Sequence, residues 1–229
     1  MPISQDKSKQ EPSKGCVIEM DTVVLGGIPR LYGIIRDELA RQQVALDEGN
    51  FARFLLGAYL ETGLNRALLG TGRRATPELM QTIRAAYLAQ LADAPLPANH
   101  PVLDLVKGLS ETPVRVGLLT RLGQEEAARL FAPLLALPHV SLLCETQAMV
   151  GAFPWDAWRR AALALQMSDR LCVALVAANA SCKAALAASL PVVVIPDAMT
   201  DYQDFTGAQH VLDKLDAGVL PAVRQVLRV

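Results

Sequence analysis

A chain of 229 residues, 52% apolar and 20% charged, can bury a sizeable core and has ordinary globular composition. Its 22 Lys and Arg against 23 Asp and Glu leave a formal net charge of −1, which removes any electrostatic case for nucleic acid or an anionic membrane surface. No run reaches the roughly 18 apolar residues of a spanning helix, and Cys16, Cys144, Cys172 and Cys182 form no CxxC pair, so a soluble, cytoplasmic protein with reduced thiols is expected.

Residues 1–14 are polar and lack the apolar stretch of a signal peptide, so they read as a disordered tail. The first strand candidate is Cys16–Met20. From Ile28 to about Ala94 the pattern is helical throughout, with apolar stripes at Ile34, Ile35 and Leu39, at Phe51, Phe54, Leu55 and Ala58, and at Leu79, Ile83, Tyr87 and Leu91. Three prolines in Asp93–Pro101 make that stretch a linker, since proline breaks helix and strand alike. Strand candidates resume at Val114–Thr120, Val140–Cys144, Leu171–Ala177 and Val192–Ile195, alternating with helical Gln124–Leu137, Trp155–Gln166 and Ser181–Ser189. Near-continuous apolar strands are covered on both faces, and their alternation with helices predicts a doubly wound parallel α/β sheet. The expected division is an α/β core of residues 15–27 and 96–229 with a helical cap of residues 28–95 inserted after the first strand. Such a cap would be mobile over a site at the carboxyl ends of the strands, where open α/β sheets bind ligands.

Phosphoryl transfer needs a nucleophile, a metal to neutralise phosphate charge, and a fixed cation or hydroxyl on the remaining oxygens. At the expected strand ends stand Glu19 and Asp21, two carboxylates spaced two apart and so on one side of a strand, then Thr120, then Ala177-Ala178-Asn179, which supplies no carboxylate. In the cap, Arg73 and Arg74 could present two cations to a phosphorylated ligand, although a solvated turn is the favoured reading. Glu19 could also serve only to cap strand-end amides. His100, His139 and His210 lie far apart beside turns, Trp155 and Trp158 read as packing, and Asp197, Asp201 and Asp204 read as a solvated acidic loop.

These placements resemble the haloacid dehalogenase (HAD) superfamily, and within it the β-phosphoglucomutase-like and CbbY-type phosphatases. The resemblance runs from Gly15 to the end. It is strongest at Lys183–Pro196, Thr200–Ala208 and Val211-Leu212-Asp213, and weakest in the cap. It implies a Rossmann-like core with a helical cap. In such proteins the first strand leads into Asp-x-Asp-Gly-Thr, whose first Asp is phosphorylated and whose second is the general acid/base. Here Glu19 falls at the nucleophile position and Asp21 at the acid position, and either Thr22 replaces the glycine or the glycine is deleted. Thr120 matches the phosphate-binding Ser/Thr of the second motif. The third-motif lysine is absent from Gly151-Ala152-Phe153-Pro154-Trp155-Asp156. The acidic pair that holds Mg²⁺ falls on Val176 and Ala177, leaving Glu19 and Asn179 as the metal candidates, the latter a neutral and poor ligand for a hard cation.

Displacing a catalytic group by about 1 Å can cost about 10²-fold, and losing a nucleophile about 10⁶-fold. The reading that follows is a non-catalytic HAD-like protein, a pseudophosphatase that binds a small phosphorylated ligand or a protein partner, with no cofactor. The alternative is an active HAD hydrolase acting on a small phosphorylated metabolite such as a sugar phosphate, with Mg²⁺ as its cofactor. A third is a subunit that pairs with an active paralogue.

Overall fold

The computed structural model describes residues 12–94, 96–146 and 150–229. Six strands form one parallel sheet in the order β3-β2-β1-β4-β5-β6: β1 Lys14–Glu19, β2 Val114–Thr120, β3 Val140–Cys144, β4 Cys172–Val176, β5 Val192–Val194 and β6 His210–Val211. The strand order reverses at β1, which lies between β2 and β4. This switch point is where an open α/β sheet leaves a crevice at its carboxyl edge.

Alternating side chains of the central strands are buried on opposite faces, as their near-continuous apolar runs require. Cys16, Ile18, Val116, Leu118, Val173 and Leu175 enter one hydrophobic cluster, whereas Val17, Leu119, Ala174 and Val176 enter a second. The second is closed by α8 Trp155–Ala164 and α9 Asn179–Ala187, through Ala157, Trp158, Ala161, Cys182 and Ala185. The first receives α5 Pro101–Ser110 and α10 Val219–Leu227.

Between β1 and α5 the helical pattern resolves into α1 Gly27–Arg41, α2 Glu48–Phe54, α3 Leu60–Ala67 and α4 Pro77–Ala92; the three expected stripes fall on α1, on α2 and the turn after it, and on α4, whereas α3 carries none of them. Two of these helices start at short polar caps: Asp47 accepts from the Asn50 amide (2.7 Å) before α2, and Thr76 from the Leu79 amide (3.2 Å) before α4. The stripe Leu79, Ile83, Tyr87 and Leu91 is buried against Ile34, Ile35 and Leu39 of α1. All of these join the same cluster as one face of the sheet, so core and insertion share one continuous apolar interior.

Proline acts here in two ways that sequence reading runs together. Pro101 ends the expected linker by occupying the first turn of α5, where its missing N–H costs nothing, and His100 caps that helix by accepting from the Val102 amide. Pro133 has the opposite effect: the expected helix Gln124–Leu137 is split at Phe131 into α6 Gln124–Leu130 and α7 Ala132–Leu135, because proline cannot continue an established helix.

Candidate functional site

The site lies at the carboxyl ends of β1 and β2. After Glu19 the chain does not continue as a strand. Met20–Val24 forms a single π-helical turn that carries Asp21 and Thr22 inward. The two carboxylates are therefore neighbours through this turn, and the pleat spacing expected from sequence does not apply. Gly27, which opens α1, passes so close that a Cβ there would lie 2.5 Å from the Asp21 carbonyl oxygen and 2.4 Å from the Tyr87 hydroxyl. The turn, α1 and α4 thus meet at a point where only glycine fits.

Asp21 is completely buried and its carboxylate is saturated by donors from the end of β2. Oδ1 accepts from Thr120 Oγ1 at 2.6 Å, and Oδ2 accepts from the Arg121 backbone amide at 3.1 Å and from Arg121 Nη1 at 2.8 Å. Thr120 Oγ1 in turn accepts from the Leu122 amide (3.2 Å). Arg121 is 1% exposed. Its second terminal nitrogen donates to the Gly151 carbonyl, and its guanidinium stacks 3.7 Å from the centroid of Phe153, which packs edge-on against buried Trp158. The segment that lacks a lysine therefore serves as the seat of a different cation, delivered by β2.

Glu19 is also wholly buried, and neither of its oxygens has a hydrogen-bond partner among the described residues. Burial pushes its carboxyl up to about 7, since an anion there would lack water. The Asp21 charge adds to the rise, while Arg121 and the nearby Ser181 and Thr22 hydroxyls oppose it. Burial and the Asp21 charge likewise raise the Tyr87 phenol. Above the turn, insertion and core residues including Thr22, Gly27, Leu55, Tyr87, Gly151 and Ser181 enclose a cavity of about 30 Å³. That is room for a water or two, not for a phosphate group.

The remaining candidates are placed apart from this cluster. Arg73 and Arg74 are exposed in the turn between α3 and α4. Asn179 opens α9, with its side-chain amide donating to the Asp204 carbonyl and its backbone amide to Gln203 Oε1 (2.8 Å). Val176 and Ala177 are buried and apolar. A small hard cation demands several oxygen ligands in near-octahedral order, and this donor set does not fit one. A guanidinium nitrogen lies 2.8 Å from Asp21 Oδ2, Glu19 is held toward its neutral form, and the end of β4 offers no carboxylate. Among the described residues no three His, Cys, Asp or Glu side chains converge as a metal site. Arg121 and Phe153 are the site residues that sequence reading misses. The available signal was an arginine directly after Thr120, at the end of the apolar run Val116–Leu119.

No family model matches the sequence, nor does any curated protein. Solved structures do match in shape. CbbY from Rhodobacter sphaeroides, in complex with phosphate, superposes with a TM-score of 0.66 at 17% identity, over 90% of this chain and 96% of that one. β-Phosphoglucomutase from Clostridium difficile gives 0.71 at 14% identity, over 94% and 97%. A haloacid dehalogenase-like protein from Agrobacterium tumefaciens gives 0.70 at 14% identity, over 95% and 100%.

Proposed function

We propose that this chain, whose fold is that of the HAD hydrolases and which resembles their CbbY and β-phosphoglucomutase group, is a non-catalytic member of that architecture that works by binding. The observation that carries the reading is the Asp21–Arg121 ion pair, 0% and 1% exposed respectively, which fills the strand-end site from within. An acid/base group must be able to reach a substrate proton. Asp21, at the position that resembles the catalytic acid, has both oxygens committed to Thr120 and Arg121. Glu19, at the nucleophile position, is kept toward its neutral form, and a protonated carboxyl is a poor nucleophile.

The division into a core of residues 15–27 and 96–229 and a cap of 28–95 belongs to the same proposal. The cap lies closed on the site, and binding requires it to open. A small phosphorylated ligand is the class that the neighbours suggest: CbbY structures contain phosphate and, in a mutant, xylulose-1,5-bisphosphate. The second reading, an active hydrolase, is favoured by Glu19 alone, because a carboxyl titrating near neutrality is the kind of group that general acids use.

Release of phosphate from an aryl phosphate and a panel of sugar phosphates, with Mg²⁺ present, separates the two. The expected result is turnover no greater than that of an identically prepared Asp21→Asn variant. Turnover that disappears in the variant would establish the hydrolase and end the non-catalytic reading.

A further inference from the structure

The two edges of the sheet are unequal. β6, at one edge, is two residues long. β3, at the other, runs for five residues, Val140-Ser141-Leu142-Leu143-Cys144, without a charge, a proline or a glycine. Folded proteins ordinarily protect such an edge with a charge, a proline, a bulge or a covering segment, because its free amides and carbonyls recruit another strand.

Which groups are free follows from the register. Val116, Leu118 and Thr120 of β2 lie opposite Val140, Leu142 and Cys144. In a parallel ladder each of those β2 residues bonds to the neighbours of its partner. The flanking bonds confirm the phase: the Val116 amide donates to the His139 carbonyl (2.8 Å) and the Glu145 amide to the Thr120 carbonyl (2.9 Å). Ser141 and Leu143 therefore face β2, whereas the N–H and C=O groups of Val140, Leu142 and Cys144 point away from the sheet. None of these has a partner among the described residues.

We infer that β3 is a self-association edge, on which a second copy of this chain pairs antiparallel about a two-fold axis at Leu142. Three matches select this occupant. First, a two-fold at Leu142 sets Val140 against Cys144 of the other copy and Leu142 against its own equivalent. Three outward amides and three outward carbonyls per copy then make six hydrogen bonds, and none is left over. Second, the same register places His139, at the amino end of the strand, opposite Glu145 at the carboxyl end of the other, twice by symmetry. Glu145 is held in position by two hydrogen bonds from Arg160, at 2.9 Å each. Third, the side chains brought together on one face are Val140, Leu142 and Cys144, all half-buried and apolar, so no like charges oppose one another. On the other face the axis joins two copies of a groove of about 240 Å³ between β3 and α8, lined by Leu143, Glu145, Arg160, Ala161 and Ala164 among others.

Sedimentation of the full chain across micromolar concentrations tests this, with dimer expected at the upper end. Leu142→Pro removes only an outward N–H and places its ring toward the second copy, leaving the β2 ladder of Ser141 and Leu143 intact, so it is expected to abolish the dimer. A monomeric wild type, or a dimer that survives in folded Leu142→Pro, overturns the inference. Should circular dichroism show that variant unfolded, Leu142→Cys in a Cys144→Ser background decides. Directly opposed residues of a hydrogen-bonded pair lie about 5.5 Å apart at Cα, within disulfide reach. Mild oxidation should give a covalent dimer, and its absence overturns the inference as well.

Discussion

Glu19 contributes a pH dependence of stability whose sign follows from its burial. Its carboxyl ionises near its ordinary value of 4.5 when the chain is unfolded, but at about 7 when folded, because burial disfavours the anion. Between those values the folded state holds more protons than the unfolded state, so stability falls as pH rises. Full stability from this group is present below about 4.5 and is lost by about 7, a change on the order of 3 kcal/mol at about 1.4 kcal/mol per pH unit. Asp197, raised by burial, acts in the same direction. Urea denaturation at intervals from pH 5 to pH 8 should show a falling midpoint for the wild type. Glu19→Gln, which mimics the protonated acid, should lose most of that slope. An equally steep fall in the variant would remove Glu19 as the cause. The ion pair beneath it makes a separate prediction. Arg121→Met strands a buried carboxylate and should cost about 3–5 kcal/mol. Adding Asp21→Asn should recover part of the loss, and simple additivity of the two changes would mean that they are not coupled.

Helix α1 carries two glycines that look alike in sequence and differ in space. A Cβ at Gly27 would lie within 2.5 Å of the Asp21 carbonyl oxygen, which is backbone and cannot rotate away, whereas a Cβ at Gly33 would meet nothing within 4 Å. Gly33→Ala should therefore stabilise by about 0.5–1 kcal/mol through helix propensity. Gly27→Ala should destabilise by about 1–3 kcal/mol through overpacking. Thermal melts of the two variants give the comparison, and shifts of the same sign would show that α1 is not pinned to the turn after β1. The contrast also marks the limit of reading elements from the chain. The strands β1 to β5 were legible because each is an apolar run flanked by helical periodicity, and the insertion was legible because its stripes recur at helical spacing. α5 was hidden by prolines that read as breakers, and β6 is too short to carry a period. The π-helical turn after Glu19 has no sequence signature of its own, so the geometry of Glu19 and Asp21 had to come from the fold. Asp21 and Thr120 could be named from their strand ends. Arg121 could not be assigned to Asp21, because the pair is 100 residues apart and only the β1–β2 register brings it together.

At the scale of the whole molecule, the sheet and the inserted helices are joined by one apolar cluster that runs from Ile18 and Leu118 through Ile35 and Phe51 to Ile83. If residues 28–95 act as the proposed cap, opening it would expose part of that cluster, so a ligand bound beneath it would have to offset a hydrophobic cost at roughly 25 cal/mol per Å² of apolar surface uncovered. Magnesium offers the simplest test of whether anything at the strand ends repays that cost. A ligand that binds only the folded state stabilises it by RT ln(1 + [L]/Kd), about 2.7 kcal/mol at 100 times Kd. In 10 mM Mg²⁺ a site with a Kd of about 0.1 mM would therefore raise the melting temperature by several degrees for a chain of this size. The ion pair of Asp21 with Arg121 and the apolar end of β4 predict no saturable shift in the wild type. Arg121→Met should behave differently, since it frees the Asp21 carboxylate from its internal cation. A weak Mg²⁺-dependent gain in the variant alone would show that the arginine occupies the charge role a metal would otherwise fill. A saturable gain in the wild type would mean that the site opens and binds cations despite its internal pair, and the non-catalytic reading would lose its main support.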